Sequence, residues 1–172
     1  GGRVEVRSTP GRGSTFSAIL PRVATVMAEQ HFRFALGSLA VPTVLIVDDD
    51  AGAPRLAEAL GNQLRLRVMH RPSGRAALDL ARSELPGLVV VDLLMPGMDG
   101  FQVMAGLKTN VADSYLPVIV LTAQPGHKLR ALQSGAKDFI SKPFDLVEVK
   151  TRIHNMLEVR LLYKALEKSN EV

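Results

Sequence analysis

The chain of 172 residues contains no cysteine and no tryptophan, and only two tyrosines and six phenylalanines. Without cysteine there is no disulfide framework, no thiolate metal site and no Cys nucleophile. No apolar run approaches the roughly 20 residues of a membrane span, and no segment has the layout of a signal peptide, so a soluble, cytoplasmic protein is expected. Charge of one sign is also scarce, with 21 Lys+Arg against 17 Asp+Glu. Residues 1–42 hold five Arg and two Glu, and residues 43–172 hold 16 bases and 15 acids, so the main body is close to neutral. No basic run with interleaved aromatics offers a stripe for phosphates, and nucleic acid is not an expected partner. What is present is globular: 47% of the residues are hydrophobic, and the length allows one domain with attachments.

The chain opens on Gly1-Gly2 without an initiator Met and reads as a piece of something longer. Residues 3–7 and 15–20 alternate as strands do around Pro10-Gly11-Arg12-Gly13, which predicts a β-hairpin ended by Pro21. Residues 22–42 read as a linker with one short helix around Met27–Leu36. From Thr43 the pattern changes. Thr43–Val47, Leu88–Val91 and Val118–Leu121 are continuous apolar runs, as strands buried on both faces require. Weaker strands fit Leu66–His70 and Asp138–Ser141, with helical stretches at Pro54–Leu64, Ser73–Ser83, Phe101–Lys108 and His127–Ser134. Five strand–helix alternations predict an α/β domain with a doubly wound, five-stranded parallel sheet. The last helix starts near Asp145 and continues without Gly or Pro. Val149, Met156, Val159, Tyr163, Leu166 and Asn170 form a heptad-like stripe along it, so its second half is expected to meet a partner.

In an open parallel sheet, ligands bind outside the carboxyl ends of the strands. Here those ends carry Asp48-Asp49-Asp50, Asp92, Thr122-Ala123 and Lys142 before Pro143. Each alone has a bland explanation as a capping acid or a solvated lysine. Together they do not: carboxylates about 4 Å apart repel by roughly 4 kcal/mol per pair at an effective dielectric near 20. Such a cluster wants a cation, and hard oxygen ligands suit Mg²⁺. The sequence after the first sheet strand, Asp48-Asp49-Asp50-Ala51-Gly52-Ala53-Pro54, is no Gly-rich phosphate loop, which argues against a nucleotide-binding fold.

Residues 43 to about 160 resemble the receiver domain of two-component response regulators. The resemblance rests on Val47-Asp48-Asp49, on Val91-Asp92-Leu93-Leu94-Met95-Pro96-Gly97-Met98-Asp99-Gly100, on Pro117–Ala123, on Gly135-Ala136-Lys137-Asp138-Phe139 and on Lys142-Pro143-Phe144. It implies a flavodoxin-like fold and a phosphoacceptor function. Asp92 would be the phosphoacceptor, with Mg²⁺ held by Asp49 and Asp92, by the Leu94 carbonyl, and by Asp48 mainly through a water. A cis Lys142–Pro143 bond would aim Lys142 at the phosphoryl group, and Thr122 and Phe139 would be the switch residues beside a necessarily small Ala123. Lys137 stands where the family often has Asp. An apolar Leu94 offers nothing to position attacking water and implies a long-lived phosphoryl-aspartate. Asp50 reads as a loop or capping acid, and Asp99 as part of the turn before the third helix of the domain.

Gly2–Val6, Gly11–Phe16 and Leu20-Pro21 resemble the last hairpin of a histidine-kinase ATPase domain, whose nucleotide-binding motifs are absent. The expected organisation is therefore a remnant over 1–21, a linker over 22–42, a receiver over 43–160 and a C-terminal signalling helix over 161–172, as in a fragment of a hybrid kinase. The implied partners are a histidine kinase or histidine phosphotransfer protein, a downstream output module, and a second copy through the fourth helix, fifth strand, fifth helix and the C-terminal helix. The only chemistry expected is self-phosphorylation and its reversal. Two alternatives differ in class: a phosphorylation-independent dimerisation module, and a Mg²⁺-dependent phosphatase with an aspartyl nucleophile. The phosphatase usually needs a second Asp two residues after the nucleophile, where Leu94 stands. The four histidines, His31, His70, His127 and His154, show neither phosphoacceptor context nor metal-ligand spacing.

Overall fold

A computed structural model describes residues 3–9, 13–19, 42–110 and 115–170. The chain divides into two units, residues 1–40 and 41–172. In the first, β1 (Arg3–Thr9) pairs antiparallel with β2 (Gly13–Ile19), Val6 lying opposite Phe16, which is the predicted hairpin. The expected helix around Met27–Leu36 lies outside the described residues.

The second unit is built on β3 (Val44–Val47), β4 (Val68–Arg71), β5 (Leu88–Asp92), β6 (Val118–Thr122) and β7 (Asp138–Ser141), all parallel, in the order β4-β3-β5-β6-β7. Between and after them run α1 (Ala53–Leu64), α2 (Gly74–Glu84), α3 (Gly100–Asn110), α4 (His127–Gln133) and α5 (Leu146–Asn170). Alternate strand residues point to opposite faces. Leu45, Val47, Val89, Val91 and Val120 pack with Ala77, Leu78, Val103, Leu107 and Ala131 of α2, α3 and α4. Val44, Ile46, Val90, Ile119 and Ile140 pack with Leu60 of α1 and with Val149, Ile153 and Leu157 of α5. Because both faces are covered, β3, β5 and β6 have no polar residue to spare until they reach the carboxyl edge.

Local signals place the helix starts. Pro54 sits in the first turn of α1, and the Ser73 hydroxyl caps α2 by accepting from the Ala76 N–H at 3.3 Å. Asp99 and Gln102 exchange hydrogen bonds at 2.9 Å, each side chain to the other's N–H, and so cap α3 reciprocally. The strand expected at Leu66–His70 begins later, at Val68, because α1 ends on Arg65 in the left-handed region (φ 54°) and the Leu66 N–H turns back to the Gly61 carbonyl.

The heptad stripe expected along the last helix is divided between two faces. Val149, Ile153, Leu157 and Leu161 are buried, a spacing of four that keeps one face on the sheet, whereas Val159, Leu162 and Leu166 are exposed. The second half of α5 also has something of its own domain to pack on. Tyr163 stacks on Tyr115 with ring centroids 4.5 Å apart, and Arg160 donates to the Tyr115 carbonyl. Among the described residues no helix is long and apolar enough to cross a membrane.

Candidate functional site

The strand order reverses direction between β3 and β5, and that is where a doubly wound sheet opens a crevice at its carboxyl edge. Asp48 and Asp49 leave the end of β3, Asp92 is the last residue of β5, Thr122 the last of β6, and Lys142 follows β7. Residues from four separate stretches of the chain therefore meet at one edge because parallel strands all deliver their carboxyl ends to the same side.

Carboxylate oxygens of Asp48, Asp49 and Asp92 lie within 4.8 Å of one another. Asp48 is 3% exposed and Asp92 6%, while Asp49 is open to solvent. Lys142 Nζ lies 3.1 Å from Asp92 Oδ2 and 3.3 Å from Asp48 Oδ2. The Leu94 N–H donates to Asp92 Oδ1 at 3.3 Å, and the Asp50 N–H donates to Asp48 Oδ1 at 3.0 Å. The Lys142–Pro143 peptide is cis. Burial pushes the Asp92 carboxyl above the usual range, and the Asp48 charge pushes it further, against the pull of Lys142 and the Leu94 N–H. Burial draws Lys142 down, but its bonds and charge contacts with Asp92 and Asp48 outweigh that and hold its pKa raised.

Three carboxylates facing one ammonium leave two negative charges uncompensated in a half-buried pocket. Donors of this kind, all hard oxygens and partly open to water, fit a small divalent cation such as Mg²⁺. The crevice opens into a cleft of about 540 Å³ bounded by Asp48, Gly52, Leu56, Ala123, Lys142 and Phe144.

The remaining predicted residues lie on β6, β7 and the loops of the same sheet. The Thr122 side chain is buried and tied to its own loop: its hydroxyl donates to the Gln124 carbonyl at 3.1 Å and accepts from the Gln124 N–H at 3.0 Å. Ala123 is exposed on the cleft wall, and the Leu94 side chain is half exposed. Phe139 is partly buried, with Lys128 Nζ 4.6 Å from its ring centroid. Asp50 is a loop acid, accepting from the Gly52 N–H at 2.7 Å. Gly100, which closes the motif begun at Val91, has a steric role: a Cβ there would stand 2.6 Å from the Asp92 carbonyl oxygen, so only glycine lets α3 begin this close to β5. His70, set aside from the sequence as an ordinary histidine, places Nε2 2.8 Å from the Asp48 carbonyl oxygen.

Residues 44–154 match the family model described as the response regulator receiver domain. The chain is 36% identical over 127 residues to histidine kinase P4 of Formosa agariphila, covering 72% of this chain and 9% of that protein. It is 35% identical over 125 residues to the response regulator PleD of Caulobacter vibrioides, covering 72% of this chain and 28% of that protein. The chain thus spans under a third of the length of either relative. Among solved structures it is similar to the receiver domain of the sensor histidine kinase PA1611 from Pseudomonas aeruginosa, which holds a magnesium ion in its active-site cleft. The TM-score is 0.61 at 25% identity, covering 69% of this chain and 98% of that one. With the parallel sheet in the order β4-β3-β5-β6-β7 and acids at its switch point, the match over residues 44–154 makes this chain a member of the response regulator receiver domain family.

Proposed function

We propose that this receiver accepts a phosphoryl group on Asp92 from the phosphohistidine of a histidine kinase or phosphotransfer protein, with Mg²⁺ held by Asp48, Asp49, Asp92 and the Leu94 carbonyl. The observation that carries this is the meeting of three carboxylates with one lysine at the mouth of an open cleft. An Asp92 oxygen attacks phosphorus as the P–N bond breaks, and the electron pair of that bond leaves with the donor imidazole. Bound Mg²⁺ supplies charge neutralisation for the carboxylates and the phosphoryl oxygens. Lys142, held near both buried acids, provides a fixed positive charge that needs no reorganisation as the phosphoryl group arrives. Ala123 leaves room for that group. Thr122 exchanges its two bonds to Gln124 for one to a phosphoryl oxygen, and Phe139 turns inward into the space vacated. The product is a switch of α4, β7 and α5.

In this reading the receiver occupies residues 43–160 of a cytoplasmic signalling protein, and residues 161–172 are the segment leading toward an output module, of which 161–170 continue α5. Residues 1–21 are the terminal hairpin of a histidine-kinase ATPase domain and 22–42 a linker, an organisation favoured by the two-stranded antiparallel β1–β2 unit. Exposed Leu129 and Leu132 on α4, with Val159, Leu162 and Leu166 on α5, offer apolar faces for a second copy or the output module. Intact mass after incubation with acetyl phosphate tests the reading. One phosphoryl adduct is expected with Mg²⁺ present, and none after chelation or in Asp92→Asn. An adduct that persists in Asp92→Asn overturns the assignment.

A further inference from the structure

Strands β3 and β4 run in parallel register to Val47 opposite Arg71, and the Asp48 N–H still donates to the Arg71 carbonyl at 3.2 Å. There the ladder stops. Arg71 is followed by Pro72, and Ser73 is taken up as the N-cap of α2. The next acceptor on β3, the Asp48 carbonyl, receives a side chain instead: His70 Nε2 at 2.8 Å. A carbonyl oxygen only accepts, so Nε2 carries the proton in this contact. The imidazole stands in for the missing rung at the point where the chain leaves the sheet and the acidic residues begin.

That carbonyl belongs to the peptide joining Asp48 to Asp49. The two acids are held very differently. Asp48 is fixed at both oxygens, by the Asp50 N–H and by Lys142. The Asp49 carboxylate is exposed, and among the described residues it has neither a hydrogen-bond donor nor an ion-pair partner. Its direction is therefore set by its backbone, and one side of that backbone is the peptide that His70 grips.

We infer that His70 is a positioning residue for the acidic pair: its imidazole fixes the plane of the Asp48–Asp49 peptide and so aims Asp49 at the cation site. The inference rests on the reading of Asp48, Asp49 and Asp92 as cation ligands, and adds to it a residue on β4 that touches neither cation nor phosphoryl group. Outer residues that orient a ligand are commonly worth a tenfold change in metal affinity or more, and loss of a single neutral hydrogen bond somewhat less.

The test is Mn²⁺ binding to the whole chain, read from the electron paramagnetic resonance signal of the free ion, in the absence of any phosphodonor. His70→Ala is expected to weaken Mn²⁺ binding about three- to tenfold. His70→Gln keeps an N–H donor of similar reach and is expected to restore binding to within about twofold of the parent. Asp49→Asn is expected to weaken binding more than His70→Ala does. A role confined to stability would lower the melting temperature of His70→Ala and leave Mn²⁺ affinity untouched. If His70→Ala binds like the parent while Asp49→Asn does not, the positioning role is overturned and the cation site stands. Equal weakening in His70→Ala and His70→Gln also overturns it, because the hydrogen bond is then not the cause. Parental affinity in Asp49→Asn overturns the cation reading itself.

Discussion

Replacing Asp92 by Asn is expected to stabilise the metal-free protein, even though it removes a charged group bonded to Lys142. Asp92 carries two repulsions, from Asp48 and Asp49, at no more than 4.8 Å between oxygens, and one attraction, to Lys142 at 3.1 Å. At an effective dielectric near 20 a repulsion at that distance is worth about 3.5 kcal/mol and the attraction about 5 kcal/mol; solvent screens exposed Asp49, so the charges nearly cancel and burial, the largest cause, leaves about 1–2 kcal/mol against the ionised carboxylate. The pKa agrees in sign: burial, then Asp48, raise it, so the folded state binds this proton more tightly than the unfolded chain does. Ionised Asp92 therefore lowers stability at neutral pH, and the loss is recovered as pH falls through its folded pKa. Asn keeps the shape and removes the charge. In chelator near pH 7, Asp92→Asn should melt above the parent by about 3–5 °C. Added Mg²⁺ should narrow or invert that order, since the parent gains about 1.4 kcal/mol at ten times the dissociation constant while the variant has lost a ligand. A variant that melts below the parent in chelator would refute the charge argument.

Lys142→Met leaves two buried carboxylates without their ammonium and is expected to cost about 3–5 kcal/mol in metal-free buffer, measured by urea denaturation, with Mg²⁺ restoring part of it. Gly100→Ala forces a methyl to 2.6 Å from the Asp92 carbonyl oxygen and should lower stability by about 2 kcal/mol or more while slowing phosphorylation, because the start of α3 and the end of β5 must move apart. Tyr163→Ala removes the stack that seats the distal half of α5 and should raise amide exchange over residues 159–170 without changing that of the sheet. The chain has only two tyrosines and no tryptophan, so intrinsic fluorescence reports on this contact directly.

What was legible in the sequence was whatever a strand buried on both faces forces into view. Val44–Val47, Leu88–Val91 and Val118–Leu121 are apolar without interruption because helices cover both sides, and each is wholly or almost wholly buried. The first polar residues after such runs stand out for the same reason, which is how Asp48, Asp49, Asp92 and Thr122 could be picked before their geometry was known. Edge strand β4 was harder to bound. It pairs on one side only, and a helix exit through Arg65 consumed residues that looked extended. The expected stripe on α5 and its buried face both start at Val149 and then diverge, one by steps of seven and the other by steps of four. Only the sheet beneath Val149, Ile153, Leu157 and Leu161 shows which one is used. Side-chain to backbone contacts, such as His70 on Asp48 or Arg160 on Tyr115, leave no periodic trace and became visible only with the fold.

The central claim is that Asp92 carries the phosphoryl group, and it is tested most directly by chemical mapping. An aspartyl phosphate is an acyl phosphate, so borohydride reduces it to homoserine and marks its position in a peptide digest. After incubation with acetyl phosphate and Mg²⁺, homoserine is expected at residue 92 and at no other aspartate. Homoserine at Asp48 or Asp49, or at no position in a protein that remains folded, would contradict the account.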